Sequence, residues 1–500
     1  MEGKYHFHPW KRLFLLHYVL SLIPMKNARL TFCLLLTNPL LFPLTAKPSM
    51  DETIRSPNVI VIMADDLGAE GLNCYDSTLY TTPRLDQMAA EGALFNNAYS
   101  TPLCTPTRVM IMTGQYPNRT GFLELISKDA GARMPAKLKT FGHYFKDAGY
   151  KTAIAGKWQL GKFHEHPNQP VEHGFDEYCM WTWQNAEKKT SRFYEPEVYQ
   201  NGKFIQGSET DFGPDIYTNF LLDFIDRSKD DPFFIYFPMA LVHSPYVQPP
   251  SLKELGHSKY PEDLDDNHTI NFGHMITYMD MIIGKFMDKL KEHGIDDNTL
   301  LIFTGDNGTG RSITSTLPGM DLPGGKGNMI ESGTRVPLLC WWPGKVPAGE
   351  RDEFFCLVDV LPTTASLSGI PVDDVVDGMD LSHNLLKQDG DDRDHVLMAY
   401  KSDRFVRTER FRLHSNGNFY DIPISSNKKR YSEELSTNPE HTAEKSRMQK
   451  ILDDFMKIKP PEDQYLGLRG SKSKEPKSDK PTDKKAARQA KKRAKKATQQ

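Results

Sequence analysis

Asn58-Val59-Ile60-Val61-Ile62-Met63-Ala64-Asp65-Asp66-Leu67-Gly68 is the stretch that decides the fold. Its apolar run is short, continuous and rich in β-branched side chains. That pattern suits a strand covered on both faces of a parallel sheet. A second run of the same kind, Thr299-Leu300-Leu301-Ile302-Phe303-Thr304, leads into Gly305-Asp306-Asn307-Gly308. Each strand therefore delivers a pair of oxygen-bearing side chains at its C-terminal end, the edge where open α/β sheets bind ligands. Asp65, Asp66, Asp306 and Asn307 together form a hard cage of three carboxylates and one amide oxygen. Such a set suits Ca²⁺, with Mg²⁺ as a substitute, better than zinc, because no histidine or thiolate accompanies it in sequence. Either pair alone reads equally well as a turn or a helix cap.

Working outward, two more buried-type strands end in cations. Lys151-Thr152-Ala153-Ile154-Ala155 leads to Gly156-Lys157-Trp158-Gln159-Leu160-Gly161. Pro232-Phe233-Phe234-Ile235-Tyr236-Phe237 leads to Met239-Ala240-Leu241-Val242-His243-Ser244-Pro245. A lone lysine or histidine carries little weight, but both follow strands that end at the expected metal edge. Lys326, in Gly324-Gly325-Lys326-Gly327, is a third candidate, since its glycines let backbone approach an anion.

Between the two carboxylate pairs lies Cys104-Thr105-Pro106-Thr107-Arg108, followed by Thr113-Gly114. This run resembles the C-x-P-x-R…T-G signature of the type I, formylglycine-dependent sulfatases. The Asp-Asp pair, the Cys104 motif, the Gly-Lys-Trp and His-x-Pro motifs, the Asp-Asn pair and the lysine loop occur in sulfatase order from Asn58 to Leu386. Glu331 to Pro337 and Val358 to Thr363 resemble two further landmarks, with packing and loop-fixing roles. The resemblance implies an alkaline-phosphatase-like α/β/α sandwich with a large mixed sheet. A small C-terminal antiparallel sheet with one helix would follow it.

The resemblance also implies a chemistry. A maturation enzyme oxidises Cys104 to formylglycine (3-oxoalanine), whose hydrated diol is the nucleophile. One Ca²⁺ is held by Asp65, Asp66, Asp306, Asn307 and an oxygen of matured Cys104. Arg108 holds the diol, Lys157 and Lys326 neutralise the sulfuryl oxygens, and His243 with Lys326 protonates the departing alcohol. The family usually reads G-K-W-H-L-G; here Gln159 replaces the histidine. Glutamine hydrogen-bonds but does not accept a proton near neutral pH, so the step that expels sulfate needs another base, with His143, His164 or water as candidates. The implied activity is hydrolysis of sulfate monoesters of a carbohydrate or aryl alcohol. The alternatives are a phosphate or phosphonate monoester hydrolase of the same superfamily and a catalytically impaired binder of sulfated glycans. A two-zinc phosphatase is disfavoured because its histidine ligands are missing.

Composition bounds the rest. Six cysteines in 500 residues are too few for a disulfide scaffold. The formal charge of −3 averages an acidic body with a tail, Ser471 to Gln500, that carries twelve basic and three acidic residues. That tail lacks the large apolar residues needed to offset its ordering entropy. It reads as solvated, with polyanions as its natural contact and no specific nucleic-acid partner. Residues 1–46 read as a targeting segment, with Met25 as an alternative start before a basic n-region and a short apolar stretch. Export to the periplasm, cell surface or medium follows. The expected organisation is a catalytic domain over 55–390, a C-terminal subdomain over 391–465 and the basic tail over 466–500. Pro83–Glu91, Phe141–Ala148, Ile216–Arg227, His274–Glu292 and Glu444–Ile458 read as helices. Val396–Tyr400, Arg404–His414 and Asn418–Asp421 read as consecutive strands. The loop Asp176 to Tyr217, with Trp181, Trp183, Arg192 and Tyr194, is the candidate for substrate specificity.

Overall fold

Twelve strands precede residue 360: β1 (Asn58–Ala64), β2 (Ala93–Tyr99), β3 (Lys151–Lys157), β4 (Glu177–Trp181), β5 (Glu197–Gln200), β6 (Lys203–Gln206), β7 (Phe233–Pro238), β8 (Thr299–Gly305), β9 (Thr314–Leu317), β10 (Met320–Pro323), β11 (Leu338–Trp341) and β12 (Gly349–Cys356). Ten of them form one sheet in the order β12-β2-β11-β8-β1-β7-β3-β4-β5-β6, and β9 and β10 form a separate ribbon. The computed structural model describes residues 56–126, 131–184, 189–250, 267–372, 375–422 and 434–461. Residues 1–46, expected to be a targeting segment, and the basic tail lie outside the described residues.

The centre of the sheet is parallel: β1 lies between β7 and β8, and β3 lies between β7 and β4. Every residue of β1, β7 and β8 is buried, which explains their unbroken apolar runs. Antiparallel pairing enters at the flanks, where β11 runs against β8 and β2, and β4, β5 and β6 form a meander. Helices Pro83–Glu91, Gly213–Ser228 and Asn267–Glu292 pack together as one covering set. Helices Cys104–Thr113, Phe141–Asp147 and Val360–Leu367 form the other. The sandwich and its mixed sheet match the expected fold class.

A second sheet follows, in the order β13-β14-β15-β16-β17 and antiparallel throughout: β13 (Val396–Tyr400), β14 (Asp403–Arg407), β15 (Phe411–His414), β16 (Phe419–Asp421) and β17 (Glu434–Leu435). The expected single strand Arg404–His414 is in fact two. Thr408 turns the chain: its backbone N–H donates to the Phe411 carbonyl at 2.8 Å. Helix Thr442–Lys457 buries Met448, Leu452 and Phe455 against this region. The two parts are joined by a buried ion pair, in which Arg407 Nε donates to Glu331 Oε1 at 3.0 Å. Tyr99 OH donates to the other Glu331 oxygen at 2.9 Å. Arg393 similarly clamps Asp359, which also accepts the Cys356 and Met379 backbone N–H groups at 2.8 Å. The two landmark segments thus have the fixing roles expected of them.

His173 gives the fold a pH signature. Its ring is buried beside Trp158 and His143, with centroids 5.5 and 6.2 Å away. Burial, helped by His143, pushes it down from 6.5 to about 4. Below pH 6.5 the unfolded chain takes a proton that the folded one refuses. Stability is therefore lost as pH falls from 6.5 toward 4, by at most about 3 kcal/mol from this group. Urea melts across that window should show a shallower slope for His173→Phe than for the wild type. Equal slopes would remove His173 from the account.

Candidate active site

The register of the central strands builds the site. Ala64 of β1 pairs with Gly305 of β8, so Asp65-Asp66 and Asp306-Asn307 leave the sheet side by side. Lys157 ends β3, and His243 lies five residues beyond the end of β7. Two tight approaches hold these ends in place. At Gly156 (φ 115°) a Cβ would lie 2.2 Å from the Pro238 carbonyl oxygen, and at Gly308 one would lie 1.9 Å from that of Ser332. Asp66 (φ 63°) and Gln159 (φ 55°) occupy left-handed backbone that such residues seldom adopt.

Cys104 is the first residue of a ten-residue helix that is buried along its whole length. Its Sγ lies 3.6 Å from Asp65 Oδ1 and 3.9 Å from Asp66 Oδ1. Lys157 Nζ donates to both oxygens of Asp65, at 2.8 and 2.6 Å. Arg108, one turn beyond Cys104, donates to the Lys157 carbonyl at 2.7 Å and to Asp306 Oδ2 at 2.8 Å. Its Nε is buried without a partner among the described residues. Lys326 Nζ donates to Asp66 Oδ2 at 2.6 Å. His243 donates through Nδ1 to the Ser244 carbonyl at 2.6 Å and turns Nε2 toward Asp66 Oδ2 at 3.6 Å. The fold therefore brings Asp65, Asp66, Cys104, Arg108, Lys157, His243, Asp306, Asn307 and Lys326 together.

Gln159 makes none of these contacts among the described residues. No hydrogen bond or ion pair joins it to Cys104 or the carboxylates among the described residues, and its Oε1 is buried without a partner. The two suggested replacement bases make other contacts. His143 closes a capping box with Thr140, and its Nε2 meets the Glu172 carbonyl at 3.1 Å. His164 packs on Tyr199 and Phe204, 3.9 Å from Glu197. Among the described residues neither ring is hydrogen-bonded or ion-paired to Cys104 or to the site carboxylates. One site residue was placed too far out by sequence. Arg192, assigned to the specificity loop, is 3% exposed and donates to Asp65 Oδ2 at 3.3 Å. Its only sequence signal is the aromatic company of Phe193 and Tyr194.

Electrostatics follow from burial and crowding. For Asp65, burial alone would raise the pKa, but the charges of Lys157, Arg108 and Lys326 pull it well below the carboxylate range. For Asp306, burial and the Asp65 charge win, raising it to about 7. Burial and Asp306 push the Cys104 thiol up to about 12, so as a thiol it is protonated and a weak nucleophile. Burial pushes His243 down to about 3 against the pull of Asp66, leaving the ring neutral, whereas Asp66 holds Lys326 protonated above its ordinary value despite burial. Lys326 is thus the charged member of that pair.

A hard dication fits this donor set. Asn307 Nδ2 donates to Asp66 Oδ1 and to the Gly308 carbonyl, both at 2.9 Å, which leaves Asn307 Oδ1 buried with no hydrogen-bond partner among the described residues. Ligand atoms of Asp65, Asp66, Cys104 and His243 lie within 4.8 Å of one another. The sequence reading already sets matured Cys104 with the carboxylates and His243 at the same edge. Carboxylate and amide oxygens dominate the site.

Comparison with known proteins gives this geometry a family. The Sulfatase family model matches residues 57–370. N-acetylgalactosamine-6-sulfatase of Homo sapiens is 32% identical over 384 residues, covering 70% of this chain and 70% of that protein. Arylsulfatase A of Homo sapiens is 32% identical over 358 residues, covering 66% of this chain and 68% of that protein. Among solved structures, Ps i-CgsB in complex with k-i-k-neocarrahexaose superposes with a TM-score of 0.69 at 25% identity, over 80% of this chain and 93% of that one. With its fold, its motif order and these likenesses in agreement, the chain belongs to the sulfatase family and is a sulfuric ester hydrolase.

Proposed function

We propose that the chain hydrolyses sulfate monoesters of a carbohydrate, using Cys104 oxidised to formylglycine as its nucleophile. The observation that carries this is the placement of Cys104. It opens a buried helix 3.6 and 3.9 Å from two carboxylates, among Arg108, Lys157 and Lys326. A protonated, sealed thiol gains nothing there as a thiol, whereas a diol oxygen would have the Lys157 and Lys326 charges nearby. Asp65, Asp66, Asp306 and Asn307 would hold one Ca²⁺, or Mg²⁺ in its place. When bound, the ion supplies Lewis acidity and a template for the sulfate. Among the chain's own groups, the orphaned Arg108 Nε is suited to an oxygen on matured Cys104. Lys157 and Lys326 are suited to the sulfuryl oxygens. The proton for the leaving oxygen falls to the pair in which Lys326 Nζ is charged and His243 Nε2 is the free ring atom.

Carbohydrate is favoured as the substrate class by the relative named for N-acetylgalactosamine 6-sulfate chemistry and by the neighbour solved with an oligosaccharide. A panel of 6-sulfated galactosamines, other sulfated sugars and aryl sulfates tests this, with free sulfate as the readout. Turnover of aryl sulfates alone would contradict it. The same reading assigns 55–390 to catalysis, 391–465 to a supporting subdomain, and 1–46 to export. Among the described residues no helix is long and apolar enough to cross a membrane. A maturing enzyme is the required partner, and the tail 466–500 is assigned to polyanion contact.

Gln159 makes a kinetic prediction. Lacking a base at that position, the matured enzyme should release alcohol in a burst and then turn over slowly, the sign of a covalent intermediate. Gln159→His should raise the slow phase on the order of 10²-fold, the scale of a positioned base. A burst-free wild type whose rate is unchanged by Gln159→His would show that the substitution is harmless.

A further inference from the structure

Arg192 is distant in sequence from every other site residue, yet the fold carries it to the metal edge. Trp181, the last residue of β4, pairs in register with Lys157. The Arg192 guanidinium sits over the Trp181 ring, 4.2 Å from its centroid. From there Nη1 donates to Asp65 Oδ2 at 3.3 Å. Asp65 hardly needs it, because Lys157 already bonds both oxygens of that carboxylate. A guanidinium carries five N–H donors. Among the described residues, Asp65 is the only hydrogen-bond acceptor that Arg192 has. A residue 3% exposed, permanently charged and bonded to a single acceptor has donors left for a ligand. Such a group is kept where a ligand completes its bonding.

The charge around Cys104 points the same way. Arg108, Lys157, Arg192 and Lys326 are four basic side chains facing three carboxylates, Asp65, Asp66 and Asp306. Arg108 gives its two Nη groups to a carbonyl and Asp306 and keeps only Nε, the atom suited to Cys104, while position 159 holds a neutral amide. We propose that Arg192 is a sulfate-binding residue of this active site. Its unpaired N–H groups take oxygens of the reacting sulfuryl group, while Trp181 and Asp65 hold the guanidinium in place. A planar fork of donors matches two oxygens of a tetrahedral anion better than a lysine does. Arg192 thereby supplies the fixed positive charge that Gln159 does not. It does not replace a base, since arginine never gives up its proton. This inference rests on the sulfatase reading above.

The test uses matured, metal-loaded protein as the wild type, Arg192→Gln, Arg192→Lys and Trp181→Leu, matched for formylglycine content by mass spectrometry. Inhibition by inorganic sulfate, KM and kcat on one sulfate ester, metal content and melting temperature are measured for each. Arg192→Gln should weaken sulfate inhibition and raise KM at least tenfold, with metal content unchanged. Arg192→Lys should recover part of the loss, and Trp181→Leu should move sulfate inhibition the same way by less. If Arg192→Gln does not fold, Arg192→Lys carries the test through a smaller weakening of sulfate inhibition. Unchanged sulfate inhibition in the folded Arg192 variants would overturn the proposal. So would loss of metal in step with activity, which would make Arg192 a positioning residue for Asp65. A matured wild type that turned over no sulfate ester would sink the sulfatase reading itself, a separate outcome.

Discussion

Cys104→Ala is expected to fold and to lose turnover on the order of 10⁴-fold or more, the scale seen when a nucleophile is removed from a working site. The side chain is small and buried at a helix start, and it makes only weak sulfur contacts with Asp65 and Asp66. Its removal should therefore cost about 1 kcal/mol of stability, the centre of the range for single substitutions. Alanine is the right replacement because a serine hydroxyl could itself act as a nucleophile. Stopped assays of sulfate release, with a melting curve on the same sample, separate the two effects. A folded Cys104→Ala protein that kept a tenth of its activity would remove Cys104 from the chemistry.

Asp306→Asn should lose metal and activity together. The amide keeps an acceptor for the Asp66 N–H, which Asp306 Oδ1 receives at 3.0 Å. It removes the charge facing Arg108, whose guanidinium is sealed in the core. Breaking a buried pair in this way costs about 3–5 kcal/mol. The wild type should gain about 2.7 kcal/mol from Ca²⁺ at a hundred times its dissociation constant. Asp306→Asn should gain far less at the same Ca²⁺ concentration, with well under one ion per chain by elemental analysis. A variant that bound Ca²⁺ with wild-type stoichiometry and affinity would move the metal site away from this strand end.

The two β-branched runs carried most of the fold. Asn58–Ala64 and Thr299–Gly305 became β1 and β8, adjacent and parallel, because a strand buried on both faces leaves an uninterrupted apolar signature. Pro83–Glu91 was equally legible, since Pro83 marks its first turn. What stayed hidden depended on distant partners. Short flanking strands such as Leu338–Trp341 have no periodicity of their own and exist because β8 and β2 pair with them. The turn at Thr408 left no glycine or proline to mark it. Within the site, residues at strand ends were found and Arg192 was misplaced. Its role depends on Trp181 lying opposite Lys157, which is a matter of sheet register and not of local sequence. His143 and His164 are plausible bases by proximity along the chain, and among the described residues neither ring is bonded to the site carboxylates.

The measurement closest to the central claim is a mass spectrum of the peptide containing Cys104. It is taken from protein made in a host that matures such cysteines and whose sulfate release has been assayed on the same preparation. The expected result is the aldehyde or its hydrate at Cys104, in an amount that rises and falls with activity across preparations. An active preparation in which Cys104 is wholly the unmodified thiol would contradict it.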